Sequence, residues 1–407
     1  MRSLLIFLTL ITMVVKSAQA APDININGSI SQTYVKSMKN NWEPIKGSAD
    51  GSFDFSEVLL GFSADLTDQL RAGAQLISRD FGEEDNFRTY LDWGYGDYRL
   101  NEFFGLRAGK VKYPLGFYNE SRDIDSARLG ILLSQAAYRE DFRSFVTAVE
   151  GVNFYGVLES PTHNWGALDY TLTYGTLNFP DSFIINQGLS EFSPGASVQA
   201  DHLYGFTLTW HTPLEGLKLG YTFSDLEAES DMVNAFGPGI GESAYAYSLH
   251  VETVLYGFEY TKQKWTFGGE VGHQILSSQY SNGISQAYEQ AIPFVDETVQ
   301  TAIGGILHYL KLTNEDREYY YLYTSYEWTN DFSSQIMYSN LELKEDKRDD
   351  SAHRGLTLSM RYDFNDYMIG KLEYHDIKGT DAATPKDTGT PVDNHWGMFL
   401  TRLSFSF

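Results

Sequence analysis

The sequence predicts an all-β fold, a transmembrane antiparallel up-and-down β-barrel of about sixteen strands, on three observations. The chain ends on a strand, residues 399–407, that puts Phe399, Leu403, Phe405 and Phe407 on one face and Arg402, Ser404 and Ser406 on the other. Such a terminal edge would aggregate in water unless another strand paired with it, and the first strand of the mature chain is the available partner. Segments of the same kind recur sixteen times, most of about 7 to 12 residues, where a tilted membrane strand needs about 9 to 11. Their connections alternate short and long, as in barrels with brief turns on one side of a membrane and extended loops on the other.

In chain order, residues 1–20 come first. Arg2, the apolar run 4–15 and Ala18-Gln19-Ala20 have the layout of a cleavable secretory signal, so the mature barrel domain is expected to be residues 21–407. That run is too short to cross a bilayer core of about 30 Å, and no later apolar run approaches the roughly 18 residues of a transmembrane helix. Any span must therefore be strand-built. Composition agrees: 61 aromatics, 28 of them Tyr, and 36 Gly supply strand formers and tight turns, while alternation keeps the mean hydropathy negative. The absence of cysteine excludes a disulfide scaffold and a thiolate metal site. The net charge of −24 becomes −26 once Arg2 and Lys16 leave with the signal, 28 basic residues against 54 acidic, which argues against a nucleic-acid partner.

The first strand, residues 23–34, turns Ile24, Ile26, Ile30 and Tyr34 outward and Asn25, Asn27, Ser29 and Ser31 inward. Residues 53–64, 70–79, 87–95, 104–111 and 152–158 follow, then 168–174, 204–210 and 217–223, the last three with every second residue apolar. Residues 248–260, 265–275, 319–328, 332–341, 356–362 and 368–375 precede the terminal strand. Seven short turns, such as 97–102 and 261–264, alternate with eight longer loops, among them 112–150, 225–244 and 276–318. Trp93, Tyr95, Phe104, Tyr260, Trp265, Trp328, Phe332 and Tyr362, beside the short turns, are expected as an aromatic girdle at one lipid interface. Residues 126–140, with Leu129, Leu132, Leu133 and Ala136 on one face behind Ser126, and residues 296–312 read as amphipathic helices inside loops.

Sixteen strands enclose a lumen too wide for side chains to fill. Inward parity places Arg361, Lys371, Arg402, Arg71, Arg79, Arg88 and Arg107 in one continuous arc, with Glu373, Asp23, Glu57 and Asp92 among them. The opposite wall has Lys218 with Asp169, Glu259, Glu270 and Glu327. Walls of opposite bias create a field across a pore. Arginine facing mid-membrane lipid would cost roughly 2 to 4 kcal/mol, which favours the inward assignment. Lys110 and Arg354 break the alternation near outer strand ends, where that cost falls to about 0 to 1 kcal/mol. The third long loop, residues 112–150, is the segment most suited to enter the lumen and is dense in both charges: Arg122, Asp123, Asp125, Arg128, Arg139, Glu140, Asp141 and Arg143.

The strand layout, the run Gly105-Leu106-Arg107-Ala108-Gly109-Lys110-Val111-Lys112-Tyr113-Pro114-Leu115-Gly116 leading into Tyr118-Asn119-Glu120-Ser121-Arg122-Asp123, and the terminal Phe407 resemble the trimeric porins of Gram-negative outer membranes. The resemblance implies a homotrimer in contact with outer-membrane lipid and lipopolysaccharide, whose third loop folds inward as a constriction. It implies passive diffusion of small hydrophilic solutes and ions, with Arg122, Asp123, Asp125 and Arg128 at the eyelet and the barrel arginines opposite. It makes Phe407 the signal read by the barrel-assembly machinery. The alternative on the same fold is a substrate-selective porin for small anions that uses the arginine arc. A barrel-borne enzyme is disfavoured because the nine His residues lie near no recognisable nucleophile motif, and an adhesin is the remaining class. No cofactor or metal is expected. The acidic clusters Glu83-Glu84-Asp85 and Glu345, Asp346, Asp349 and Asp350 have no calcium-loop pattern and read as solvated charge.

Overall fold

Sixteen antiparallel strands close into one ring in the computed structural model, which describes residues 23–82, 86–140, 143–159, 165–177, 199–235, 242–280, 313–344, 353–387 and 389–407. The expected signal, the amphipathic stretch 296–312, Asp141 and both acidic clusters lie outside the described residues. The first half of the chain forms β1 (Ile24–Met38), β2 (Asn41–Trp42), β3 (Phe55–Asp65), β4 (Leu70–Phe81), β5 (Arg88–Asn101), β6 (Phe104–Lys112), β7 (Ala148–Glu159), β8 (Ala167–Thr176) and β9 (Gln199–His211). The second half forms β10 (Leu217–Ala235), β11 (Glu242–Lys262), β12 (Trp265–Tyr280), β13 (Thr313–Glu327), β14 (Phe332–Leu343), β15 (His353–Asn365), β16 (Met368–Lys378), β17 (Ala383–Thr384) and β18 (His395–Ser406). Each ring strand pairs with its neighbours in sequence, and the two-residue β2 and β17 pair with each other outside the ring.

The ring closes where β1 meets β18, in a register running from Ser29↔Ser406 to Met38↔Gly397. Beyond it, Gly28 and Phe407 donate their amides to each other's carbonyls at 3.0 Å. A side chain at position 28 would collide with the Phe407 ring, 2.6 Å from where its Cβ would stand, so the seam needs a glycine there.

Each of the sixteen expected segments falls on a ring strand, overrunning it by two residues at most. The faces are as the alternation predicts: Ile26, Leu172, Tyr256, Leu322, Leu358, Met360 and Phe405 are exposed on the outer surface, while Thr33, Thr222, Thr357 and Ser404 are buried on the inner one. Arg354 stands on the outer face near Glu342 (3.8 Å). Lys110 also faces outward, directly opposite Glu150, and its Nζ donates to the Leu91 carbonyl.

Three features differ from expectation. Strands β10 and β11 run for 19 and 21 residues, so most of the expected loop 225–244 is a continued hairpin. Above the hydrocarbon layer the outward positions turn polar, as at Asp225 and Glu227, and the apolar alternation stops while backbone pairing continues. Next, Asp92 is a bulge: Gln75 pairs with Trp93 and Leu76 with Leu91, leaving Asp92 unpaired. The bulge reverses the parity of β5, so Trp93 and Tyr95 point into the lumen beside Lys112 and Arg107 instead of joining the girdle that the exposed Phe104, Trp265, Trp328 and Tyr362 supply. Finally, one side of the interior is oily. Val35, Phe55, Phe81, Ile377, Trp396, Met398 and Leu400 of the inner wall pack with Trp42, Ile45, Ile131 and Leu132 of the loops.

The lipid face can be checked directly. Leu358→Arg, placing a guanidinium on the outer face of β15, is expected to cost about 2 to 4 kcal/mol of folding free energy in bilayers, and Arg354→Leu at the strand end under about 1 kcal/mol. Denaturant titrations of folded and unfolded fractions in vesicles read both.

Candidate functional site

Residues 113–147, joining β6 to β7, enter the ring and fasten to opposite parts of its wall. On one side the attachment is made by tyrosines and acids. Gly116 N–H donates to Thr222 Oγ1 (3.2 Å) and Phe117 N–H to Glu270 Oε1 (2.8 Å). Tyr118 donates to Glu259 and Tyr138 to Glu270, both at 2.5 Å, and Tyr321 and Tyr323 of β13 donate to the same two carboxylates. Lys218 closes this group on Glu259 at 2.9 Å. Burial, reinforced by Tyr323 and Glu259, pushes the Tyr118 hydroxyl up, so it remains a donor. Gly116 has φ +59 and no room for a side chain between Tyr138, Leu255 and Glu270.

On the other side the attachment is ionic. Asp125, buried, receives Lys371 (3.3 Å), Arg402 (3.2 Å), Arg128 (3.2 Å) and the Ser404 hydroxyl. Glu140 receives Arg79 (3.0 Å) from the wall and Arg122 (3.1 Å) from the loop. Asp123 pairs with Arg143 and Lys112, and Arg143 reaches the bulged Asp92 at 3.5 Å. Glu373 accepts the amides of Ile131 (2.7 Å) and Leu132 (3.2 Å). Lys371 donates to the carbonyls of Asp125 and Gly130, and Arg361 to those of Ser126 and Arg128.

These bonds correct the expectation of a helix over 126–140. The stretch holds only a 3-10 turn, Asp125–Ala127, and then an irregular path, with one α-helical turn later at Arg143–Val146. Wall side chains take the amides and carbonyls that an α-helix would have bonded internally. Leu132 and Ala136 are buried as the amphipathic reading required, but in two different clusters.

The expected site residues fall into two groups. Arg79, Arg122, Asp123, Asp125 and Arg402 are buried and spent on fastening the loop, and Arg128 and Arg361 serve the same attachment, Arg361 also pairing with Asp363 at 2.6 Å. Arg71, Arg88 and Arg107 do not join them. Arg88, opposite Arg79 in register, is exposed at the first residue of β5, and Arg71 is exposed with Asp65 at 3.7 Å. Arg107 keeps a quarter of its side chain in contact with solvent, lies over Tyr155 (4.3 Å) and meets Asp97 (3.2 Å) and the half-exposed Glu120 of the loop (3.7 Å). The inner-face groups Arg71, Asp97, Arg107, Asp169 and Lys218, on β4 to β10, retain water contact. Tyr319, Tyr321 and Tyr323 were missed as inner-wall residues. The run Tyr319-Tyr320-Tyr321-Leu322-Tyr323 is aromatic on both parities, which was the available signal.

Burial raises the Asp125 carboxyl, but Lys371, Arg402 and Arg128 outweigh it and hold the group well below the usual carboxylate range. Glu140 behaves alike: burial works against ionisation, Arg122 and Arg79 overcome it, and its pKa is lowered to about 2.

Neither a family model nor a curated protein matches the chain. Solved structures do. The chain is similar to an anion-selective porin from Comamonas acidovorans (13% identity, TM-score 0.55, 95% of this chain and 100% of that one). It is similar to OmpF of Salmonella typhi (12%, TM-score 0.57, 95% and 98%) and to the trimer form of OmpT, an outer membrane protein of Vibrio cholerae (12%, TM-score 0.53, 95% and 100%). The fold is that of the Gram-negative outer-membrane porins.

Two measurements test the attachment. Asp125→Ala leaves Lys371 and Arg402 buried without their shared acid, a loss of about 3 to 5 kcal/mol for a broken buried pair. Hydrogen exchange should then rise sharply in residues 113–147 while the ring strands stay protected. In the parent protein, the Glu140 contribution is complete above its ordinary pKa of 4.5 and disappears as pH falls towards about 2, because the folded value is the lower one. Loop exchange, corrected for the intrinsic rate, should accelerate over that window and not above it.

Proposed function

We propose that this chain is an outer-membrane porin, a passive channel for small hydrophilic solutes and ions, assembled as a homotrimer. The observation that carries the reading is the wetted sector of inner wall on β4 to β10, left beside a loop fastened across the rest of the lumen. Solutes pass alongside Arg107, Asp97 and Tyr155 of the wall and Glu120 of the loop, which touch one another and form the selectivity point. Arg122, Asp123, Asp125 and Arg128 hold the loop in place behind it. Transport of this kind makes and breaks no covalent bond, so no catalytic residue is assigned. The trimer form of the Vibrio cholerae protein of like fold supports the oligomer. Outward apolar side chains supply the lipid contact, with lipopolysaccharide at the outer rim, and Phe407, exposed on the closing strand, is assigned to recognition by the barrel-assembly machinery.

The pairing of the arginine arc argues against a dedicated anion porin. Arg79, Lys371 and Arg402 each share a carboxylate with the loop or with Glu57, so they present little net positive field.

Planar-bilayer recording of the full chain tests the proposal. Stepwise, persistent ion currents are expected, and a folded protein that never conducts would refute the channel. In a salt gradient, Arg107→Ala should move the reversal potential towards cation preference and Glu120→Gln towards anion preference. If both variants match the parent, the selectivity point lies elsewhere.

A further inference from the structure

Where β9, β10 and β11 leave the apolar band, five titratable side chains gather on the outward face of the ring. Phe206, Phe223 and Val254 lie at the last apolar level, and Tyr204 stands one level above them, opposite Asp225. Above it Asp225 lies opposite Glu252, and Glu227 lies opposite both His202 and His250. Three carboxylates and two imidazoles thus share one patch, and among the described residues no lysine or arginine pairs with any of the three acids. Like charges directly opposite on a sheet repel, and Asp225 is buried beside a hydrocarbon layer where that repulsion is weakly screened. Among the described residues, Asp225 meets His250 and Tyr204, and Glu227 meets His202.

We propose that His202, Asp225 and Glu227 bind a divalent transition-metal ion of the zinc class, with His250 as the positioning residue that orients Asp225. One donor atom from each of the three lies within 4.8 Å of the others, and His202 Nε2 is already 3.8 Å from Glu227 Oε2. A tetrahedral ion with bonds of about 2.0 to 2.2 Å holds its ligand atoms roughly 3.2 to 3.6 Å apart, so rotamer adjustments of about an ångström close the site. His250 Nε2 stands 2.9 Å from Asp225 Oδ2, the contact that fixes a ligating carboxylate from behind. Imidazole with carboxylate suits zinc, nickel or copper, whereas magnesium and calcium take oxygen ligands. The ligands come from two hydrogen-bonded strands and the orienter from a third, so the ion clamps the hairpin of β10 and β11 to β9 at the point where it emerges from lipid. A bulge lies at the site as well: Glu227 pairs with His202 but Ala228 with Ala200, which ends the regular ladder beside the cluster.

Full-length protein in detergent, stripped with chelator, is titrated with Zn²⁺ by equilibrium dialysis and elemental analysis. One tightly held equivalent is expected, retained in excess Mg²⁺ and released on acidification, because the ligands must be deprotonated to hold the ion. His202→Ala and Glu227→Gln should each weaken binding at least about tenfold, and His250→Ala about 10- to 100-fold. His395→Ala, which removes an exposed histidine with a single carboxylate partner, should leave affinity unchanged. Heat-dependent mobility in detergent gels confirms that each variant retains the closed ring. No bound equivalent, equal affinity in His202→Ala, or displacement by equimolar Mg²⁺ would each overturn the assignment.

Discussion

Every peptide group in the hydrocarbon layer must find its hydrogen-bond partner within the chain, because lipid offers none and an unsatisfied group costs several kcal/mol. In this protein that requirement is met when the first strand reaches the last. The mutual bonds of Gly28 and Phe407 and the ten-residue register beside them remove the only two edges a sheet of sixteen strands would have. Closure also fixes the two chemistries of the wall. Along β15, Leu356, Leu358 and Met360 meet lipid, and Thr357 and Ser359 between them have nowhere to point but inward.

The same accounting governs the interior, with a different solution. A loop drawn into the ring carries its own amides and carbonyls away from bulk water, and each needs a partner there. Glu373 serves the amides of Ile131 and Leu132, and Lys371 and Arg361 serve four loop carbonyls. Buried ion pairs such as Asp125 with Lys371 and Arg402 contribute little net stability, since desolvation offsets much of their attraction. Their effect is positional: a displaced loop would leave charges buried and unmatched, so one placement is strongly preferred. At the far wall, hydroxyls of Tyr118, Tyr138, Tyr321 and Tyr323 converge on Glu259 and Glu270 and achieve the same end with fewer charges.

How much of this was legible in the sequence follows from the range of each interaction. The sixteen strands could be read because lipid imposes its demand locally, on every second residue, wherever the chain crosses. The turns were legible for the same reason. The bulge at Asp92 was not, since one extra residue shifts Trp93 and Tyr95 inward without altering the composition of the segment. The stretch 126–140 has a helical apolar pattern, and its actual partners sit some 240 positions further on, at Lys371 and Glu373, beyond the reach of any local rule. The charges of the inner wall were assigned to the correct face, but which acid meets which base depended on the loop's path. The grouping of His202 with Asp225 and Glu227 is likewise invisible in spacing, because the register of β9 on β10 creates it.

Inside and outside the ring, charge is handled in opposite ways, and the contrast has consequences for the field that a solute feels. Within the lumen the bases are largely matched, in the arc Arg79 with Glu140, Lys371 with Asp125 and Arg402 with Glu57 and Asp125, and on the opposite wall Lys218 with Glu259. Matched pairs act as dipoles, whose influence fades over a few ångströms, so the wetted sector is governed by the groups that touch it, chiefly Arg107, Asp97 and Glu120. A loop of a different charge pattern on the same ring would leave the arc uncompensated and create a strongly polarised pore. On the outer face at β10 and β11 no such internal matching occurs among the described residues. Asp225, Glu227 and Glu252 face one another with two imidazoles and the Tyr204 hydroxyl among them, so the charge there is set by neutral or titratable partners and not by fixed cations.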